Sequence, residues 1–467
     1  MSAASYTVRA AQAASALWRG RMARNALWLA GPFALQQLIR LVTSIVLARL
    51  LAPEMFGVMV LVNTLRTGTE LLSDIGIGQS VVRSPHANDR AFLDTAWTVQ
   101  LVRGALLALL ALIAAWPVAQ IYGNPQLAPV LCIIGATFLL TGLNSPDLFL
   151  MQRDMRVVQR GIYDLGSTIT VSLITILLAA LWRDLWALVW GLVLGAACAT
   201  LLTYAFAPPR VPRLTWRREY VAEIFHFGKW IFLSTAIYFA AISIDKIYFS
   251  AVLPLALVGV YGVARTFSDL MNALAQRFGS FLVFPRVAEL HQQGSDLAPI
   301  MRGKRRLVLA ASAAAMAAML AASDQLILLL YDARYAAAAF MLPLLLAGVW
   351  FAVLSSLGEA TLFGLGLPQA GAAGNAAKFA VLVAGLPLLV PAYGLTGGLF
   401  VLIAAEMGRW LALSLALNRK GLSSGRDDLL ATVLVAIAAV IGKGVLGYWG
   451  LVPTLQQWWG MSQTVAA

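Results

Sequence analysis

The sequence predicts an all-α polytopic membrane protein, and three observations carry the prediction. Apolar residues make up 60% of the 467-residue chain and charged residues only 12%, where a soluble domain carries about a quarter charged residues. About thirteen windows reach the ~20 apolar residues that a helix needs to cross the hydrocarbon core of a bilayer. Basic residues gather in alternate loops between those windows, the asymmetry that membrane insertion imposes.

Taken in order, the chain opens with a basic flank, residues 1–24. It carries Arg9, Arg19, Arg21 and Arg24, with no acidic residue before Glu54. Such a flank pins the first span from the cytoplasmic side as a surface-lying amphipathic helix. The spans are expected at 25–48, 55–80, 93–119, 127–150, 161–181 and 185–207. After a linker they resume at 223–250, 255–284, 306–330, 336–363, 368–390, 395–417 and 428–449. Linker 208–222, PPRVPRLTWRREYVA, is rich in proline and arginine and falls near the middle, where two halves would join. The organisation is therefore 1–24 flank, 25–207 first lobe, 208–222 linker, 223–418 second lobe, and 419–467 a loop, a thirteenth span and a tail. Gly31–Pro32, Pro343, Pro387 and Pro391 are expected to kink their spans.

With the N-terminus in the cytoplasm, the cytoplasmic loops hold Arg83 and Arg90, then Arg153, Arg156 and Arg160. Further on they hold Arg210, Arg213, Arg217 and Arg218, then Arg302, Lys304, Arg305 and Arg306, then Arg419, Lys420 and Arg426. The opposite loops hold only Arg49, Arg183 and Arg334. This distribution accounts for the net charge of +13. No basic run sits on a soluble module, so nucleic acid is excluded as a partner.

The two halves resemble each other. LLAPEMFGVMVLVNTLR (50–66) ends the first span and opens the second; VLPLALVGVYGVARTFSD (252–269) does the same for the seventh and eighth. Leu51, Gly57 and Val58 align with Leu253, Gly259 and Val260. Six spans is an even number, so both halves run in the same sense, a parallel repeat about an axis along the membrane normal.

Charges inside the spans point to the site. The second span carries Arg66, Glu70 and Asp74; the eighth carries Arg265, Asp269 and Arg277. The first holds Arg40, the third Arg103, and the seventh Asp245 and Lys246. Later spans hold Glu359, Lys378, Glu406, Arg409 and Lys443. Each charge at mid-bilayer costs roughly 2.5–3.5 kcal/mol, so these groups face one another or water. Residues at i, i+4 and i+8 share a helix face. The stripes Arg66–Glu70–Asp74 and Arg265–Asp269 are therefore expected to face each other across a shared wet cavity. On a second reading, Arg66–Glu70 and Arg265–Asp269 are ion pairs that fix helix packing. Asp245 and Lys246 are adjacent and point about 100° apart, so they cannot both face the cavity squarely.

The candidate substrate-binding residues are Arg40, Arg66, Arg103, Arg265, Lys378 and Arg409. The candidate charge partners or coupling residues are Glu70, Asp74, Asp245, Asp269, Glu359 and Glu406. An excess of arginine suits an anionic head group such as a diphosphate, which a planar guanidinium binds with two hydrogen bonds. Arg49, Lys229 and Lys443 are expected to snorkel or to flank the membrane surface. Cys132 and Cys198 lie in apolar runs with no CxxC, and His86, His226 and His291 are scattered without metal-ligand spacing, so neither a disulfide framework nor a metal site is expected. GIGQS (76–80) and GLG (364–366) lack the strand and lysine of a phosphate loop, so hydrolysis of ATP by that route is excluded.

Two blocks carry a family likeness. Residues 31–83, with ARLLAPEMFGVMVL and LLSDIGIGQSVVR, and residues 227–290, with FGKWIFLSTAIYFAAISIDKIYFS, VGVYGVARTFSDL and FPRVAEL, resemble Wzx-type oligosaccharide flippases of the multidrug/oligosaccharidyl-lipid/polysaccharide exporter superfamily. The order Gly228, Lys229, Trp230, Asp245, Gly259, Tyr261, Ala264 and Pro285 carries the likeness beyond hydropathy. The resemblance implies two six-helix lobes in a V around a central cavity, with the thirteenth span added. It implies flipping of polyprenyl-diphosphate-linked oligosaccharide repeat units across the bacterial cytoplasmic membrane for exopolysaccharide, capsule or O-antigen. It also implies membrane lipids and other polysaccharide-assembly proteins as partners, with no cofactor and no covalent chemistry. Asp245 alone carries over as a family-like position. One rival is a cation-coupled multidrug exporter of the same superfamily, which calls for an acidic, aromatic-lined cavity. Another is a glycan polymerase or ligase, which needs a convergent catalytic set on a large outer loop; the outer loops here are short turns.

Overall fold

The computed structural model describes residues 31–154, 156–206, 212–279, 283–293, 297–422 and 424–448. The flank 1–24, the start of the first span, linker residues 208–211 and the tail 449–467 lie outside the described residues. So do the side chains of His226, Lys229, Trp230, Pro285, Arg302 and Lys304.

Every regular element among the described residues is a helix. The first half holds α1 (Gly31–Leu50), α2 (Pro53–Leu72), α3 (Ile77–Arg83), α4 (Arg90–Ile121), α5 (Leu127–Gly142), α6 (Asp147–Arg153), α7 (Val157–Trp182) and α8 (Leu185–Phe206). The second holds α9 (Arg218–Val252), α10 (Leu255–Phe278), α11 (Phe284–Gln292), α12 (Leu297–Leu330), α13 (Ala337–Gly364), α14 (Pro368–Arg419) and α15 (Gly425–Tyr448).

Eight of these helices are long and apolar enough to cross a membrane, or nine if the bent α5–α6 pair is one span. The thirteen expected spans correspond to those nine, the second limb of α14, and α2, α9 and α10. These last three carry Arg66–Glu70, Asp245–Lys246 and Arg265–Asp269.

Two expected spans are broken and two others run together. The 55–80 window breaks after Leu72, where the Gly76 N–H donates to Asp74 Oδ1 at 2.9 Å and Gly76 adopts φ 66°. That left-handed turn suits glycine and restarts the chain as α3. The 127–150 window bends by 59° between α5 and α6. The windows 368–390 and 395–417 form one run, α14, broken at Gly394 (φ 59°, ψ −150°) after Pro387 and Pro391.

α2 and α10 cross with glycine at the closest approach. A Cβ on Gly57 would lie 1.9 Å from the Leu255 carbonyl oxygen, and one on Gly259 would lie 1.9 Å from the Pro53 carbonyl oxygen. Gly259 follows Gly57 by 202 residues, and Leu255 follows Pro53 by 202. The contact is therefore reciprocal under a single register shift. A Cβ on Gly262 would meet the Val60 side chain, and these two positions share the same shift. On the same side, Arg334 Nη2 donates to the carbonyls of Ala48 (3.2 Å) and Arg49 (3.3 Å), and Arg49 Nη2 donates to the Leu330 carbonyl (3.3 Å). Arg49 thus joins α1 to the end of α12 rather than only snorkelling.

At the other ends of these helices the halves are clasped through the linker. The Arg213 N–H donates to Asp94 Oδ1 (3.2 Å) and the Thr215 N–H to Thr98 Oγ1 (2.9 Å). α9 begins at Arg218 rather than 223. Its Tyr220 hydroxyl donates to Asp89, and its Ile224 is buried in one cluster with Ile77, Val81 and Phe92. The Tyr220 hydroxyl and the Ala91 N–H hold the Asp89 carboxyl below its ordinary value. A lowered carboxylate contributes stability above its unfolded value and loses it as pH falls through the folded one, so this contact is intact at neutral pH.

α15 rests on α12 through three ion pairs, the outermost between Arg306 Nε and Asp427 Oδ2 at 3.0 Å. Arg305 Nη2 meets Asp428 Oδ1 at 2.6 Å, and Lys443 Nζ meets the buried Asp324 Oδ2 at 2.6 Å. Lys443 is therefore a structural partner rather than a snorkelling residue. Its partner lies 119 positions away on another helix, which the pattern of one span does not reveal. Lys443→Met leaves Asp324 buried and unpaired. Thermal unfolding in detergent is expected to register a loss of about 3 kcal/mol, since removing one partner of a buried pair strands the other charge. Lys443→Met with Asp324→Leu is expected to recover most of it.

Candidate functional site

A cavity of about 460 Å³ lies among α1, α2, α7, α8, α9 and α10. Three cations line it, Arg40 from α1, Lys246 from α9 and Arg265 from α10, against the single carboxylate of Asp269. Hydroxyl and amide groups, among them Thr43, Ser44, Asn63, Thr67 and Thr266, make up the rest of the polar lining.

The cations are held differently. Arg265 Nε lies 2.9 Å from Asp269 Oδ1, and its Nη1 lies 3.6 Å from Oδ2 of the buried Asp245. Asp245 also accepts from the Tyr261 hydroxyl, so the guanidinium is aimed by a buried pair behind it. Lys246 Nζ stands 3.7 Å from Asp269 Oδ2. Arg40 is exposed and has no ion-pair partner among the described residues. A mobile cation beside a fixed one can close on an anion that bears several oxygens.

The other predicted residues lie elsewhere. Lys378 pairs with Glu406, and Arg409 Nη2 pairs with Glu359 Oε2 at 2.7 Å. Both cations are buried within the second half. Asp245, Arg265, Lys378 and Glu406 border a space of only about 30 Å³, which is room for about one water. A further chamber of about 450 Å³ lies inside the first half, bordered by Glu70, Asp74, Arg103 and Arg160. Arg103 Nη2 donates there to the Glu70 carbonyl (2.6 Å) and to Ser73 Oγ (2.9 Å).

Arg66 pairs with Glu70 at 2.7 Å and is not part of the lining of any of these three spaces. Among the spaces bordered by described residues, none is lined by both stripes. The 202-residue register explains why: it matches Arg265 with Asn63 rather than Arg66, and Asn63 and Arg265 both line the larger cavity. Arg66 and Glu70 continue the same helix toward the first-half chamber, which Asp74 borders from the turn after Leu72.

Lys246 is a lining residue that charge placement alone ranked below its neighbour Asp245. The 100° step between them puts the lysine on the larger cavity and the aspartate behind it. Asn63 and Thr67 were visible as a polar pair at i and i+4 in an apolar span. Arg160, assigned to a cytoplasmic loop, stands in the first turn of α7, pairs with Asp164 at 3.1 Å and borders the first-half chamber.

Residues 46–340 match a family described as polysaccharide biosynthesis protein. The chain is 20% identical over 258 residues to the lipopolysaccharide biosynthesis protein WzxC of Escherichia coli (strain K12), covering 55% of this chain and 52% of that one. It is 22% identical over 252 residues to the succinoglycan biosynthesis transport protein ExoT of Rhizobium meliloti (strain 1021), covering 54% and 51%. The aligned regions thus span about half the length of these curated relatives. Among solved structures, the fold is similar to that of the lipid II flippase MurJ in an inward closed conformation, with a TM-score of 0.74, 10% identity, and coverage of 94% of this chain and 96% of that one.

Proposed function

The chain belongs to the polysaccharide biosynthesis protein family, and from that premise we propose that it is a flippase moving polyprenyl-diphosphate-linked oligosaccharide across the bacterial cytoplasmic membrane. The observation that carries this reading is the cavity with Arg40, Lys246 and Arg265 against one carboxylate. Two linked phosphates match that excess of positive charge, and guanidinium groups match their geometry.

The residues perform no covalent chemistry in this account. Arg265, aimed by Asp245, holds the diphosphate in a fixed orientation, and Arg40 closes over it. The polar side chains of α1, α2 and α10 keep the cavity wet for the sugars, while the lipid tail stays in the bilayer. With the N-terminus in the cytoplasm, the α2–α10 glycine contact seals the outer face. Export then requires the two lobes to part there and to close at the linker end. The same excess of positive charge repels the organic cations of a drug exporter.

Deletion of the gene in its host tests this reading. Lipid-linked repeat units are expected to accumulate on the cytoplasmic side while surface polymer disappears. Unchanged surface polymer together with loss of dye efflux would move the multidrug reading ahead.

A further inference from the structure

We propose that the first-half chamber is a subsite for the sugar residues of the cargo, an inference that rests on reading the cationic cavity as the head-group site. Its charges balance: Arg103 and Arg160 stand against Glu70 and Asp74. A chamber without net charge offers no second phosphate site. It offers donors and acceptors in fixed positions, which suits a neutral polyol.

Two observations point to a ligand there. Asn144 borders the chamber, and its Oδ1 is buried with no hydrogen-bond partner. Buried acceptors are normally satisfied, and a sugar hydroxyl is a donor of the right kind. Phe138 and Phe149 also border the chamber and add apolar ring surface beside the polar groups. Such a mixture fits a sugar ring, which has an apolar face and polar edges.

α2 contributes to both the cationic cavity and the chamber. Asn63 and Thr67 line the cavity, and Leu71 and Asp74 line the chamber. Asn63, Thr67 and Leu71 share one side of α2, and Asp74 follows in the turn that closes the helix. Thr67 and Leu71 lie four residues apart, about 6 Å along the axis. A diphosphate held by Arg265 can thus direct its glycan along one polar stripe into the chamber. Arg103, already bonded to the Glu70 carbonyl and to Ser73, forms a preorganised wall.

Binding of two probes to the purified full-length protein tests this. One is polyprenyl diphosphate without sugar; the other is the lipid-linked glycan extracted from the host's own membranes. The variants are Asn144→Leu and Asp74→Asn; the second keeps an acceptor for the Gly76 turn. Both variants are expected to bind the sugar-free lipid as the wild type does and the glycan lipid about tenfold more weakly. Wild-type affinity for the glycan lipid in both variants overturns the subsite, as does an equal loss for both probes. Equal affinity of the wild type for the two probes also overturns it. If the wild type binds neither probe, the head-group reading itself fails, and the subsite falls with it.

Discussion

Arg40→Ala is expected to reduce export about 10- to 100-fold in a complementation assay of the deletion strain, with no change in protein level or thermal unfolding. A hydrogen bond to a charged group is worth about 1.5–3 kcal/mol, and each 1.4 kcal/mol is about tenfold. Arg40 suits this test because it is exposed and has no ion-pair partner among the described residues. Its loss strands no buried carboxylate. Arg265→Ala is less clean, because it leaves Asp245 buried without its guanidinium, and stability falls along with function. Arg265→Lys separates the two effects: the positive charge stays and the two-pronged donor goes. Export is expected to fall while the fold is retained. Normal surface polymer from both Arg40→Ala and Arg265→Lys would remove the cationic cavity from the mechanism.

Gly57→Ala and Gly259→Ala are each expected to abolish export by preventing closure of the α2–α10 contact. The added Cβ would sit 1.9 Å from a backbone carbonyl oxygen in either case. Backbone cannot swing aside as a flexible side chain does, so the helices must separate. The two substitutions should have matching effects, because each glycine rests on the carbonyl four residues before the other. Asn63→Cys reports the state of the contact once Cys132 and Cys198 are replaced by alanine. An impermeant thiol reagent added from outside should label Asn63→Cys strongly with Gly57→Ala and weakly with Gly57 intact. Equal labelling, with export retained, would mean that the glycine contact is not a closure.

The hydropathy of the chain makes its helices legible because crossing a bilayer demands long apolar runs whatever the packing. The break at Gly76 is harder to see, since apolar residues continue through it and the restart depends on a left-handed turn. The site is less legible than the fold for a related reason. Charges could be assigned to spans from sequence, yet the space each one faces depends on helix rotation and on neighbours far away in the chain. Arg66 and Arg265 look equivalent as basic residues on corresponding spans. Packing matches Arg265 with Asn63 instead, three residues from Arg66. Lys378 and Arg409 looked like cavity cations, but their carboxylates reach them across the kinked α14 and from α13. The adjacent Asp245 and Lys246 are the opposite case. Helical geometry alone requires them to diverge, and they do.

The most direct test of the central claim is translocation by the purified protein in liposomes loaded with the host's lipid-linked glycan. Access of a membrane-impermeant glycan-modifying enzyme to the opposite leaflet reports the movement. Rapid exposure of the glycan is expected with wild-type protein, and little above protein-free liposomes with Arg40→Ala or Gly57→Ala. Exposure at the protein-free rate with folded wild-type protein, or at the wild-type rate with both variants, would contradict the claim.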